Sequence, residues 1–318
     1  MVRKNWTVAQ EERLDAFLRR EMPLIIGTSV SNSKVRRFII AGSVYVNGRQ
    51  CRIPSYELRR GSAVQVCIDE QKLFFEKKPD DIEFTLTDKD VLFEDEYIIV
   101  VNKPAFIPVE DSIVGGRGNM HDVVVDYLWK KNPSLRNPPY VGIMHRLDRE
   151  TSGVLLFTKT RSVNAAVHDM FEKHTAKKLY RAVCSCNANS KEEKKQGSSF
   201  TVDDFIGRIS PKSQACKMGL LCETRGGQHS HTDFYIAEKK DGLYYVDCKL
   251  LTGRTHQIRL HLSLSGLPIV GDELYGGNKG FASLNGRIML HAHSLEFPHP
   301  VTQEVMTVTA ELPEGFVG

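Results

Sequence analysis

Arg146, Asp148 and Arg149 place one acid between two bases inside the segment MHRLDRETSGVLLFTKT, residues 144–160. Asp148 falls between a short apolar run (Val141, Gly142, Ile143, Met144) and a longer one (Val154, Leu155, Leu156, Phe157), with the small turn formers Thr151, Ser152 and Gly153 following it. The runs read as buried strands and the polar middle as the loop joining them. A single carboxylate on a strand-end loop, flanked by arginines, suits an enzyme that presents an ionised acid to a polyanion. Asp and Ser also open ordinary turns by bonding their own backbone, and Arg–Asp neighbours are common on solvated loops. The loop therefore decides nothing alone, and four further segments carry the argument.

VNKPAFIPV (101–109) sets an Asn-Lys-Pro turn at the end of an apolar strand. KKLYRAV (177–183) reads as a strand in which Lys178, Tyr180 and Ala182 share one side by the period of two. LLTGRTHQIRLHLSLSGLPIVGDELYGG (250–277) passes from a strand through Gly253 into a helix ended by Gly266. On that helix Arg254, Gln257 or Ile258, and His261 are expected on one face. LHAHSLEFPHP (290–300) reads as a strand with a proline stop.

The elements that position these segments follow from periodicity. VLFEDEYIIVVNKP reads as strand, acidic turn, strand, whereas HDVVVDYLWKK (121–131) and SVNAAVHDMFEKH (162–174) read as helices. The polar stretch 187–199 reads as an exposed loop. No nucleotide-binding βαβ rhythm emerges, so the class is α+β rather than a doubly wound sheet.

The first quarter of the chain differs in charge. Residues 1–80 hold 15 Lys+Arg against 9 Asp+Glu, a net of +6; the other 28 basic and 30 acidic residues give −2. Here EERLDAFLRR (11–20) spaces Leu14, Phe17 and Leu18 for a helix. A second helix is expected from Ser33 to about Ile40, with Val35, Phe38 and Ile39 inward and Lys34, Arg36 and Arg37 outward. Gly42 ends it, Asn47-Gly48 makes a type I′ hairpin, and SAVQVCID supplies a third strand. A compact basic module of this kind is built to meet an anion, with nucleic acid foremost. It resembles the small RNA-binding domain first recognised in a ribosomal small-subunit protein. The resemblance covers residues 12–70 and implies RNA contacts by Lys34, Arg36, Arg37 and Arg49. Residues 71–81, charged and marked by proline, are expected to be a linker to a catalytic domain over 82–318.

Composition excludes other classes. The N-terminus has no apolar core segment of a secretory signal, and no run approaches the ~18 apolar residues of a spanning helix. The seven cysteines form no CxxC pair, which favours a reducing, cytoplasmic setting over a disulfide framework or cysteine-rich zinc site.

The segments HRLDRETSG, KLYRAV, GRTHQIRLHL, GLPIVGDELYG and LHAHSLEFPHP together resemble the pseudouridine synthases of the RluA type, over roughly residues 85–312. That family implies a mixed, mainly antiparallel central sheet with flanking helices and loops. With the N-terminal module, the chain looks like the longer members that modify large-subunit ribosomal RNA; transfer RNA is the alternative substrate, and a non-catalytic RNA-binding member the alternative role. The resemblance makes Asp148 the catalytic aspartate, paired with Arg254, and Tyr180 the active-site tyrosine. Arg146 is expected to fill the gap left by an extruded nucleotide, Ile258 or Leu260 to wall the base pocket, and Lys103 to contact substrate. It implies no cofactor, no metal, no nucleotide cofactor, RNA as the partner, and a monomer. Between Pro104 and Gly118 the chain lacks the glycine turn and histidine that often follow Lys-Pro in this family.

Two rivals are weaker. His229-Ser-His231-Thr-Asp233 and His291-Ala-His293 are zinc-compatible strand pairs, but a metal hydrolase needs a third ligand and a general base at defined spacing, and no HExxH element exists. HRLD lacks the glycine-rich loop and DFG of a protein kinase. His145 and His256 are read as hydrogen-bonded structural histidines rather than an acid–base pair.

Overall fold

The computed structural model describes residues 2–23, 32–40, 43–68, 81–110, 118–186, 194–210, 216–279 and 286–316. Gly42, the linker up to residue 80 and most of the 187–199 loop lie outside the described residues, as do the side chains of Lys34 and Arg37. The described residues divide into two compact units, one running to Ile68 and the other starting at Asp81.

In the first unit the helix spacing holds. Helix α1 (Leu14–Glu21) buries Leu14, Phe17 and Leu18, and α2 (Asn32–Ile40) buries Val35 and Ile39. Strands β1 (Val2–Thr7), β3 (Val44–Val46), β4 (Arg49–Cys51) and β6 (Ala63–Ile68) form one sheet in the order β1-β6-β3-β4. Short strands β2 (Glu12–Arg13) and β5 (Glu57–Leu58) pair separately. Asn47 and Gly48 have φ of 49° and 79°, the left-handed pair that a type I′ turn requires. The Asn47 Oδ1 accepts the Ala63 N–H at 2.8 Å, which ties the hairpin tip to β6. The unexpected element is β1: it covers one side of β6 in register from Val2↔Ile68 to Thr7↔Ala63, so the sheet starts ahead of residue 12.

The second unit is built on an eleven-stranded mixed sheet. Its strands are β7 (Val91–Glu94), β8 (Ile98–Lys103), β9 (Gly142–Ile143), β10 (Ser152–Thr158), β11 (Lys177–Ser185), β12 (Ser199–Arg208), β13 (Met218–Leu220), β14 (Gln228–Lys240), β15 (Leu243–Leu250), β16 (Leu290–Pro298) and β17 (Val305–Thr309). The order is β13-β12-β14-β15-β11-β16-β10-β8-β7, with β17 on β16 and β9 on β10. Every pairing is antiparallel except β10 with β16.

Both faces of the sheet centre are covered, which explains the continuous apolar runs. Ile99, Val101, Leu155 and Phe157 pack in one cluster with Met120, Val124 and Leu128 of α3 (Met120–Lys131). Their strand neighbours Ile98, Val100, Val154 and Leu156 pack on the other face with Val167 and Met170 of α4 (Asn164–Glu172). The Asn119 Oδ1 caps α3 by accepting the Asp122 N–H at 3.0 Å.

Helix α5 (Gln257–Leu264) corrects one expectation. It begins at Gln257, after His256 in the left-handed region at φ 53°, so Arg254 precedes the helix and shares no face with it. The helix stops as expected, with Gly266 at φ 77°.

Candidate active site

The loop carrying Asp148 runs from β9 to β10 and is fixed from behind. The Lys103 side chain at the end of β8 has no exposed surface, and its Nζ donates to Pro104 O at 2.8 Å, Arg149 O at 3.1 Å and Thr151 O at 2.8 Å. Three acceptors match the three protons of an ammonium group. Burial opposes that charge and draws the pKa down to about 7, against the attraction of Glu150 and Asp148. Lys103 therefore anchors the loop from the interior and is withdrawn from substrate, contrary to the contact expected of it. The Thr151 N–H closes a turn on Asp148 O at 3.1 Å, and the Phe106 N–H donates to Arg149 O at 2.8 Å.

Further bonds continue the restraint. His145 Nε2 accepts the Leu156 N–H at 2.9 Å, and its ring lies against Phe171 with centroids 4.5 Å apart. Gly153, at φ 115°, runs so close to β16 that a Cβ there would lie 2.1 Å from Ala292 O, so only glycine fits. Arg149 turns away from Asp148: its Nε donates to Asp81 Oδ1 at 2.6 Å and its Nη1 to Glu150 Oε1 at 3.0 Å.

The cation in front of Asp148 comes from α5. Arg259 Nη1 donates to Asp148 Oδ2 at 3.2 Å. The same guanidinium is held in a two-pronged grip by Asp272, Nε to Oδ2 at 2.7 Å and Nη2 to Oδ1 at 2.9 Å. Asp272 is fully buried and Arg259 is 5% exposed. Burial works against the Arg259 charge, but the hydrogen bond and charge of Asp272, with Asp148 behind them, raise its pKa above the usual arginine value. The expected partner, Arg254, instead donates its Nε to the His229 carbonyl at 3.0 Å. Five residues separate the two arginines, and the late helix start puts Arg259 on the inward face and leaves Arg254 on the loop before it.

Two more groups face the acid. Tyr180 is 8% exposed on β11, and burial, then the negative charge of Asp148, push its hydroxyl pKa well above the tyrosine value. His256 Nε2 lies 3.9 Å from Asp148 Oδ2. Its Nδ1 is 3.0 Å from the Tyr275 hydroxyl, whose oxygen already accepts the Met218 N–H at 2.8 Å. With the Tyr275 hydroxyl donating to Nδ1, a neutral imidazole carries its proton on Nε2, toward Asp148. Burial lowers the His256 pKa in spite of Asp148, consistent with the neutral ring. Asp148, Tyr180, Arg259 and His256 form one constellation: an acid with a compensating cation, a phenol and an imidazole. It can act on a sugar carbon and pass a proton nearby.

The other expected site residues are placed differently. Arg146 is exposed, with Nη1 donating to Glu110 Oε1 at 2.6 Å. Ile258 and Leu260 are 4% and 5% exposed and pack into separate apolar clusters, Leu260 against Ile206, Met218 and Tyr275, which corrects their expected place on a pocket wall. Arg36 and Arg49 in the first unit are exposed. Among the described residues Asp203, His229 and His231 gather potential metal ligands, already hydrogen-bonded to one another at 2.6 and 3.0 Å. His291 and His293 are not such a pair, each bonding to Ala310 O. Arg259, Asp272 and Tyr275 are site residues that the sequence did not point to, and His256, expected to be structural, faces Asp148. All four stand inside the GRTHQIRLHL and GLPIVGDELYG segments.

Known proteins resemble the chain in this same region. The sequence model described as RNA pseudouridylate synthase matches residues 97–264, and that of the S4 domain matches residues 12–64. An uncharacterized RNA pseudouridine synthase of Synechocystis is 32% identical over 96% of this chain and 86% of its own length. A ribosomal large subunit pseudouridine synthase D of Neisseria meningitidis is 31% identical over 95% of this chain and 76% of its own. Among solved structures, Human RNA Pseudouridylate Synthase Domain Containing 1 aligns with a TM-score of 0.53 at 25% identity, covering 72% of this chain and 87% of that one. Human RNA Pseudouridylate Synthase Domain Containing 4 shares the fold, with a TM-score of 0.56 at 23% identity over 79% and 95%.

Proposed function

As this chain belongs to the RNA pseudouridylate synthase family, we propose that it converts uridine to pseudouridine in large-subunit ribosomal RNA, with Asp148 as the acting carboxylate. The observation that carries the assignment is the Arg259–Asp148 pair at 3.2 Å, beside the buried Tyr180. The reaction breaks the bond between C1′ of the ribose and N1 of uracil, turns the base and forms a bond from C1′ to C5; C5 gives up its proton and N1 takes one, so the product is an isomer of the substrate. Attack on the ribose and removal of a ribose proton both require an anionic carboxylate at the sugar, and Arg259 compensates that charge. Tyr180 stacks on the base and serves in proton transfer.

A base cannot be detached, turned and rejoined while stacked, so the uridine is extruded into the site. The exposed guanidinium of Arg146, on the same loop as Asp148, occupies the gap left behind. The first unit holds RNA through Arg36 and Arg49, joined by Lys34 and Arg37 of the same basic helix. Ribosomal RNA is the reading that the printed names of several relatives favour. The enzyme is taken as a cytoplasmic monomer. Cys51, Cys184, Cys216, Cys222 and Cys248 are in no disulfide, no helix among the described residues is long and apolar enough to cross a membrane, and one chain supplies the whole constellation.

The test is to map pseudouridines in large-subunit ribosomal RNA from cells with and without this gene, then from cells carrying Asp148→Asn. At least one site should vanish with the gene and stay missing with the variant. Unchanged maps would end the assignment to ribosomal RNA, and restoration by the variant would remove Asp148 from the reaction.

A further inference from the structure

Lys178, Arg254 and His174 form a group of basic side chains that the assignment above does not use. Lys178 stands two residues before Tyr180 on the same side of β11, about 7 Å along the strand. Arg254 stands two residues before His256, in the loop entering α5. The two cations therefore repeat, one step outward, the pair of residues that faces Asp148. They are also neighbours. A Cβ on Gly253 would sit 3.2 Å from Lys178 Nζ, so the ammonium rests against the backbone leading into Arg254. His174 lies on the turn after α4, held at φ 56°, and is exposed.

Among the described residues these charges are not neutralised. Arg254 Nε has the His229 carbonyl as its acceptor, which leaves both terminal amino groups of the guanidinium without an acceptor among the described residues. Lys178 has no hydrogen-bond or ion-pair partner among those residues. The carboxylate in the vicinity, Asp203, has its two oxygens 2.6 and 3.0 Å from His229 Nε2 and His231 Nδ1. Burial, then the charge of Arg254, draws the Lys178 pKa down to about 8, and burial followed by Lys178 and Arg254 lowers that of His174. By contrast, Arg259 in the same unit is met by the carboxylates of Asp272 and Asp148, and Lys103 by three carbonyls. A half-buried ammonium beside a guanidinium, with no acid between them among the described residues, is stabilised by an arriving anion.

We propose that Lys178, Arg254 and His174 clamp one phosphodiester of the RNA strand, adjacent to the uridine that sits at Asp148. A phosphodiester suits the opening. Arg254 offers a planar two-donor edge, Lys178 a point charge, and the subsite lies one strand repeat from the groups that face Asp148, within reach of the sugar-phosphate unit of one nucleotide. The clamp would hold the strand on the outer side of the extruded base and set which sugar reaches the carboxylate. This rests on the pseudouridine synthase reading and adds to it a defined phosphate subsite, with Arg254 moved from catalysis to binding.

The test uses the full chain with two probes. One is single-stranded oligouridylate for binding; the other is large-subunit ribosomal RNA from cells lacking the gene, for turnover. Lys178→Gln with Arg254→Gln should raise KM at least about tenfold, so that KM carries the loss in kcat/KM. The slope of log affinity against log salt on oligouridylate should become shallower by about 0.7 for each charge removed. Lys178→Arg with Arg254→Lys keeps both charges and should restore the salt slope, and KM only in part, because lysine lacks the two-donor edge. A role confined to folding would instead lower the thermal midpoint of the Gln pair and leave its salt slope at the wild-type value, which overturns the clamp. Unchanged KM and slope overturn it as well. Failure of the unaltered protein to isomerise the ribosomal RNA would strike the functional assignment itself, whereas failure of the variants alone strikes only the clamp.

Discussion

Two buried cations stand on opposite sides of the Asp148 loop and are satisfied in opposite ways. Behind it, Lys103 donates to three neutral carbonyls, and burial draws its pKa down to about 7. In front, Arg259 lies between two carboxylates and its pKa is raised. The rear group fixes backbone: what it contributes is three hydrogen bonds, and its charge is a cost. The front group exists for its charge, and Asp272 orients two of its three donor nitrogens so that the third meets Asp148. Substitutions on the two sides should therefore fail differently, the rear in stability and the front in chemistry.

The sharpest contrast comes from the acid itself. Asp148→Asn should lower single-turnover isomerisation by about 10⁴-fold or more while RNA affinity is largely kept. Loss of binding to the same degree would mean that Asp148 only positions RNA. Next, Asp272→Asn releases the grip on Arg259. The isomerisation rate should fall on the order of 10²-fold, and unfolding in urea should show a loss of about 3–5 kcal/mol, as for any buried pair broken on one side. A stability loss with an unchanged rate would erase the distinction between front and rear.

On the rear side, Lys103→Met leaves three loop carbonyls without their donor and should cost about 3 kcal/mol in chemical denaturation. Its pH dependence has a definite sign. The folded-state pKa of about 7 lies below the unfolded value of 10.5, so the folded chain is penalised for the bound proton below pH 7. That penalty is relieved as pH rises from 7 toward 10.5, and wild-type stability should climb relative to Lys103→Met by at most about 1.4 kcal/mol per pH unit. A gap that stays constant between pH 7 and 9 would show that Lys103 does not titrate there.

The buried histidines give a smaller effect. His261 and His291 are 0% and 1% exposed, and burial lowers each from 6.5 to about 4. Unfolded chains bind those protons first, so stability should fall as pH drops from 6.5 toward 4, by up to about 1.4 kcal/mol per unit for each ring. Thermal unfolding of His261→Gln and His291→Gln should show shallower acid slopes. Last, Arg36→Gln with Arg49→Gln should flatten the salt dependence of RNA binding by roughly 1.4 to 1.8, with little change in the rate at saturating RNA.

Much of this arrangement is written locally. The runs IIVV and VLLF are apolar at every position because α3 covers one face of the sheet and α4 the other, so their strands were readable without a partner. Asn47-Gly48 named its own turn, and the Asp148 loop was framed by its neighbours. What the sequence hid depends on where a helix starts and on contacts across a turn. Arg254 and Arg259 are both in GRTHQIR. The resemblance was carried onto Arg254, whereas His256 adopts a left-handed conformation, the helix begins only at Gln257, and Arg259 is the arginine that meets Asp148. Asp272 meets Arg259 across the chain reversal marked by Gly266 and Gly271, which no periodicity encodes. Strand β1 escaped notice because VRKNWT has three consecutive polar residues, Arg3 to Asn5, and pairs only with β6.

The parallel pairing of β10 with β16 joins Ser152 to His291 and Gly153 to Ala292. The strand immediately after Asp148 thus gains its second neighbour from residues almost 140 positions further along the chain. Contacts of such long range form late, since the entropy of closing the intervening loop must be overcome first. During synthesis, the acid would emerge from the ribosome well before the strand that holds its loop in place. The chain should be unable to isomerise RNA until nearly all of it has been made.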